Sequence, residues 1–171
     1  LVSKKNHIIK KINFSSKEVT NYKLSKIFKK YNFKFKDIEK ILFCSVVPPT
    51  FNLIKKFLSK KTNIKCREVK SLSLKSLIKI KVDYKEVGSD RITNAISLMN
   101  NKNNFIILDF GTATTFDVLV KNIYYGGIIA PGVKLSLKTL SDRATLIPKI
   151  DLKKITKVVG NNTITAVRSG F

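Results

Sequence analysis

Residues 105–120 read FIILDFGTATTFDVLV. Two apolar, β-branched runs flank a centre of one carboxylate, one glycine and three threonines. Asp109 closes the first run, Gly111 follows two residues later, and Asp117 sits inside the second run. The runs predict two strands joined by a tight bend. Backbone N–H groups and a threonine hydroxyl at such a bend make a phosphate cradle, with Asp109 placed to hold a cation beside it. The same residues also suit a plain hairpin, in which threonines supply strand propensity and Asp109 caps the turn. Both readings stay open on this stretch alone, and Asp117 is left without a ligand.

Outward from the hairpin, strand and helix alternate. YYGGIIAPG (124–132) predicts a third strand, with Gly126-Gly127 allowing close backbone approach and Pro131-Gly132 turning into a helix. VKLSLKTLSDRA then places Val133, Leu137 and Leu140 inward. Upstream, DRITNAISLMN sets Ile92, Ala95, Ile96 and Met99 at helical spacing. PPTFNLIKKFLSKK opens with proline, as a helix start does, and puts Leu53, Ile54, Phe57 and Leu58 on one face. KLSKIFKKY predicts a short helix, and KILFCSVV and IKCREVK predict strands. VVGNNTITAVRSG is expected to run from strand through glycine into a helix begun at Asn162 or Thr163. A composition shift at NNKNN, near residue 102, suggests a division into 1–101 and 102–171.

VGSDRITNA (87–95) is a second stretch with chemical potential. Gly88 permits a bend, and Ser89 or Asp90 can cap the following helix. Asp90 and Arg91 would project from a helix N-terminus, where backbone N–H groups favour anions. An ordinary N-cap accounts for Ser-Asp but less well for Gly88 and Arg91.

Composition bounds these readings. The chain has 171 residues, 43% of them hydrophobic, enough for one sizeable core or two small subdomains. No run approaches the roughly 18 apolar residues of a membrane span, and no apolar leader core is visible, so a cytoplasmic protein is expected. Cys44 and Cys66 are the only cysteines and His7 the only histidine, which disfavours zinc and suits two structural thiols. The net charge of +23 raises nucleic acid as a partner. Thirty of the 34 basic residues are lysine, however, and residues 1–85 carry 23 basic and 5 acidic groups against 11 and 6 in the remainder. No basic recognition motif accompanies them, so solvated lysine faces are the better account and a nucleic-acid module from residues 1–85 a distant third reading. Walker A, GxGxxG and GxSxG patterns are absent, which removes P-loop, Rossmann and common serine-hydrolase readings.

Taken in order, the motifs resemble the type III pantothenate kinase family. Its G-x-D-R stands here as Gly88-Ser89-Asp90-Arg91, its D-x-G-T-A as Asp109 to Ala113, and its G-G-x-I-x-P-G as Gly126 to Gly132. The SSVVP segment is similar to Cys44 to Pro48, and the late G-x-N-T to Gly160 to Thr163. The resemblance implies an actin-like ATPase fold of two related ribonuclease-H-like α/β subdomains, both incomplete here. It implies transfer of a phosphoryl group from ATP to pantothenate, the first step towards coenzyme A, with Mg²⁺, a monovalent cation (K⁺ or NH₄⁺) and a homodimer. On the resemblance, Asp90 is the general base, and Gly88, Ser89, Asp90, Arg91 and Thr163 bind pantothenate. Asp109 is the cation ligand and Thr112 contacts ATP phosphate.

One departure accompanies the resemblance. The family's opening D-x-G-N-T turn, which holds ATP phosphates, is not found. HIIKKINFS looks like a hairpin lacking most of its first strand, and the family continues beyond Phe171. Both ends are therefore expected to be cut, and residues 1–171 alone are expected to be inactive. The runner-up reading is a non-catalytic, transcription-accessory relative of the same fold.

Overall fold

The computed structural model describes residues 7–171 except 14, 16, 17, 46 and 75. Val46 lies outside the described residues, as do residues 1–6, where the first arm of the expected N-terminal hairpin would fall; residues 7–13, expected as its second arm, form no strand beyond a single bridge at Ile8. The described chain is a mixed α/β protein with two sheets and five α-helices. It groups into two units. One takes the described residues up to Leu74 with Gly88–Thr93; the other takes those from there to Val87 with Asn94–Phe171.

In the first unit, α1 (Asn21–Lys30) begins at Thr20, whose hydroxyl accepts a hydrogen bond from the Lys23 N–H at 3.1 Å. Strand β1 (Ile41–Phe43) leads through α2 (Pro48–Ser59) to β2 (Cys66–Glu68), which pairs parallel to β1. A parallel pair needs such a crossover, and the two prolines at the start of α2 set its first turn. Phe57 and Leu58 are buried with Val19, Leu24 and Cys66, and Leu53 and Ile54 pack against them. This is the face expected from their spacing. Phe28 stacks on Phe35 at 4.7 Å and meets Phe57 at 5.8 Å, so aromatic rings supply much of this small core.

The second unit is built on a four-stranded sheet in the order β3-β6-β5-β4. Strands β4 (Asn104–Phe110), β5 (Ala113–Val120) and β6 (Ile123–Pro131) form an antiparallel meander, as the hairpin pattern predicts. The two-residue strand β3 (Lys79–Ile80) adds to β6 in parallel; Ile78, Ile80 and Val82 alternate there with Lys79 and Lys81, a strand pattern confined to a few residues. Helix α3 (Ser89–Leu98), whose residues up to Thr93 belong to the first unit, precedes the meander, and its Ile92 and Ala95 are fully buried. Helix α4 (Val133–Arg143) follows it and buries Leu137. A final helix, α5 (Thr163–Gly170), is closed by a reciprocal cap between Asn162 and Thr165.

Alternation along the meander separates two faces. Ile107, Asp117, Leu119 and Tyr124 are buried. Ile106, Leu108 and Phe110, and Ile128 from β6, stand exposed on the opposite side. Between β5 and β6 the chain turns through Lys121, held at φ 53°. The register then slips between Val118 and Leu119, a bulge that leaves Tyr125 unmatched. Gly126 sits at φ 97°, and a Cβ there would lie 2.9 Å from Val82 Cγ1, so glycine is required twice over. One expectation is corrected: Val158 and Val159 form no strand and are 79% and 84% exposed. Their β-branched side chains favour a strand only where a neighbour offers a ladder, and here none does.

Candidate functional site

The G-x-D-R stretch opens α3. Ser89 is buried, and its hydroxyl donates to the Ser45 carbonyl at 3.2 Å, just beyond β1. Thr93, one turn later, donates to the Ser89 carbonyl at 2.7 Å and reaches Cys44 Sγ at 3.4 Å. The segment Cys44-Ser45 and the start of α3, two separate motifs in the sequence, are therefore tied together. Asp90 is half-buried, and its Oδ1 accepts the Arg91 N–H at 2.9 Å. That leaves Asp90 in the first turn, where helix N–H groups favour negative charge. The Ser89 hydroxyl is engaged by backbone, so what it offers a ligand is position rather than a free donor.

The D-x-G-T stretch forms the bend between β4 and β5. Asp109, at the end of β4, is half-buried and pairs across the ladder with Thr115. Asn94 on α3 donates its amide to Asp109 Oδ2 at 3.0 Å, and this is the only hydrogen bond to that carboxylate among the described residues. Gly111 and Thr112 are exposed at the bend, which closes through the Gly111 N–H to the Ala113 carbonyl at 2.9 Å.

Behind the bend lies Gly132, buried, whose N–H donates to the Thr112 carbonyl at 2.9 Å. A Cβ on Gly132 would come within 2.3 Å of the Gly111 oxygen and 2.4 Å of the Thr112 oxygen. The Pro131-Gly132 turn is thus pressed against the D-x-G-T bend, a contact between two motifs that stand as separate stretches in the sequence.

Asp117 has a different environment. It is 0% exposed, and the equally buried Tyr124 donates its hydroxyl to Oδ1 at 2.5 Å, while the Thr115 hydroxyl lies 3.4 Å from Oδ2. Tyr124 and Thr115 come from the same meander, so these contacts tie its strands together. Thr163 is the exposed first residue of α5. Gly160 lies so close to that helix that a Cβ would meet Ala166 N at 2.2 Å.

Asp90 and Thr163 thus stand at helix starts, Asp109 and Thr112 at one bend. Motif spacing does not mark Asn94 or Gly132 as site residues. The one signal for Asn94 is its place a helical turn after Asp90, an amide on an otherwise apolar-periodic helix.

The bend presents one carboxylate beside the backbone and hydroxyl oxygens of Gly111 and Thr112. Among the described residues, no three His, Cys, Asp or Glu side chains gather to hold a metal ion. One protein carboxylate is too few ligands for a divalent ion, which would need further oxygens, as nucleotide phosphates supply.

The chain belongs to the type III pantothenate kinase family, whose model matches residues 2–171. It is 61% identical over 171 residues to a type III pantothenate kinase from Pelagibacter ubique, covering all of this chain and 69% of that protein. A type III pantothenate kinase from Koribacter versatilis is 38% identical over 148 residues, which are 85% of this chain and 54% of the relative. The chain therefore spans about two thirds of one relative's length and about half of the other's. A crystal structure from Campylobacter jejuni, assigned to the Baf family of transcriptional activators, aligns with a TM-score of 0.49 at 21% identity, over 84% of this chain and 62% of that one. Among the described residues no helix is long and apolar enough to cross a membrane.

Proposed function

We propose that the protein phosphorylates pantothenate with ATP, giving 4'-phosphopantothenate at the first step of coenzyme A synthesis. The observation that carries the reading is the D-x-G-T bend. A half-buried carboxylate stands beside an exposed glycine-threonine turn, in a chain of this family. In this reading the Thr112 hydroxyl and backbone N–H meet phosphate oxygens, the Gly111 N–H being used to close the bend. Asp109 holds a monovalent cation, which adds positive charge beside them. Mg²⁺ arrives with the nucleotide.

Asp90 acts on the other substrate, with Gly88, Ser89, Arg91 and Thr163 shaping the pantothenate site. Carboxylates are weak bases towards alcohols, but phosphoryl transfer through a loose transition state demands little early proton removal. Asp90 orients the primary hydroxyl and accepts its proton late, and Arg91 balances anionic charge. Positioning and charge neutralisation supply most of the acceleration. The finer fold belongs to the same reading: an actin-like pair of ribonuclease-H-like subdomains, divided near residue 102, working as a cytoplasmic homodimer.

The test uses the intact protein with ATP, Mg²⁺ and pantothenate, and measures phosphopantothenate directly. Asp90→Asn keeps the acceptor for the Arg91 N–H, so stability should change by well under ~1 kcal/mol. Turnover should fall on the order of 10²-fold or more. Near-wild-type turnover in the variant would leave Asp90 a helix cap and nothing else.

A further inference from the structure

We propose that Asn94 is the positioning residue for Asp109, fixing one carboxylate oxygen so that the other is free to serve the nucleotide side of the site. The inference rests on the kinase reading above and deepens it.

The geometry is specific. The Asn94 amide donates to Asp109 Oδ2 at 3.0 Å, and Asp109 Oδ1 takes no hydrogen bond among the described residues. Asp109 ends its strand beside an exposed bend, where a carboxylate can rotate about χ1 and χ2 unless something grips it. Strand neighbours do not provide the grip: the Thr115 hydroxyl, directly across the ladder, lies near Asp117 instead.

Asn94 is well placed to grip. It lies inside α3, between Ile92 and Ala95, both 0% exposed, so its backbone has little freedom. A neutral amide also suits the task chemically. It donates to the carboxylate without neutralising it, whereas lysine or arginine there would compete with a cation for the same charge.

The cost of losing the grip is orientational. A carboxylate free to turn presents its oxygen to the ligand only part of the time, so affinity on the nucleotide side should fall while the Asp109 charge remains. A merely structural Asn94 would instead affect stability alike whether or not Asp109 is present.

The experiment is a double-mutant cycle read by ATP binding in the intact protein, with calorimetry in potassium buffer. Asn94→Leu keeps the side chain's size and removes the donor. It should weaken ATP about 5-fold or more in the wild-type background and less than about 2-fold when Asp109 is already alanine. Equal losses in the two backgrounds, or unchanged affinity in the first, overturn the proposal. Should Asn94→Leu fail to fold, Asn94→Ser, too short to reach Asp109, carries the same cycle with the same expected losses. A wild-type protein that binds ATP without phosphorylating pantothenate would overturn the substrate reading while leaving this cycle decisive. One that binds no ATP overturns both.

Discussion

Asp109 and Asp117 stand eight residues apart on facing strands of one hairpin, and the fold uses them in opposite ways. Asp117 is fully buried and bound by Tyr124 and Thr115 within the meander. Asp109, at the rim, is half-buried and bound through one oxygen by one amide from a different element. A buried carboxyl must have its partners supplied by the protein, because water is not there to help. A carboxylate at the rim can be left with capacity to spare. The acidic residue that completes the sheet and the one with an oxygen left open are thus told apart by how much of each carboxylate is already engaged.

The largest effect should come from breaking that contrast. Asp117→Ala removes the acceptor of a buried tyrosine hydroxyl and leaves a void, and should cost about 3 kcal/mol of stability. Asp109→Ala should cost less than about 1 kcal/mol, as rim substitutions do. Urea unfolding of both variants of the intact protein measures the difference. Similar losses at the two positions would mean that Asp109 is as structural as Asp117, and would return the D-x-G-T bend to ordinary hairpin duty.

A smaller effect sharpens the rim side of the comparison. Gly132→Ala drives a methyl group into the carbonyl oxygens of Gly111 and Thr112, which are backbone atoms and cannot swing aside. Either the bend or the start of α4 must shift, at about 2 kcal/mol. Because the bend is the exposed partner, we expect it to move, so the variant should also need more ATP for half-maximal turnover. A variant with wild-type stability and wild-type ATP requirement would show that Gly132 does not buttress the bend.

The scaffold is readable in the sequence wherever local pattern and tertiary neighbours agree. The meander, α2, α3 and α4 follow from apolar spacing, and Asn162 caps α5 where the sequence predicts a helix start. Disagreement appears where the outcome depends on a distant partner. Ile78 to Val82 alternates with lysine as a strand does, but only Lys79–Ile80 pairs, because β6 offers an edge just there. Val158-Val159 has strand chemistry without an edge to join. The candidate site divides in the same way. Asp90, Asp109 and Thr112 announce themselves through motif spacing, while the partners of Asp117, the grip of Asn94 and the buttress at Gly132 are contacts across elements, invisible to any window along the chain.

The smallest expected effect tests whether burial, rather than mere pairing, sets the worth of a carboxylate here. Glu18 in the first unit is paired with Lys23, as Asp117 is paired with Tyr124, but its side chain is 62% exposed. The hydrogen bond from Lys23, and then its charge, hold the Glu18 carboxyl below its ordinary value of 4.5. A depressed value in the folded state means the contribution is present above that ordinary value and fades as pH falls through the lowered one. Solvent and salt screen so exposed a pair. Glu18→Gln should therefore leave the unfolding midpoint unchanged at neutral pH in physiological salt. Any loss seen at low salt should vanish on acidification, because protonated glutamate and glutamine are then alike. A loss comparable to that of Asp117→Ala, persisting in salt, would show that pairing alone sets the value of a carboxylate in this fold, and the distinction drawn between the rim and the interior of the hairpin would lose its physical basis.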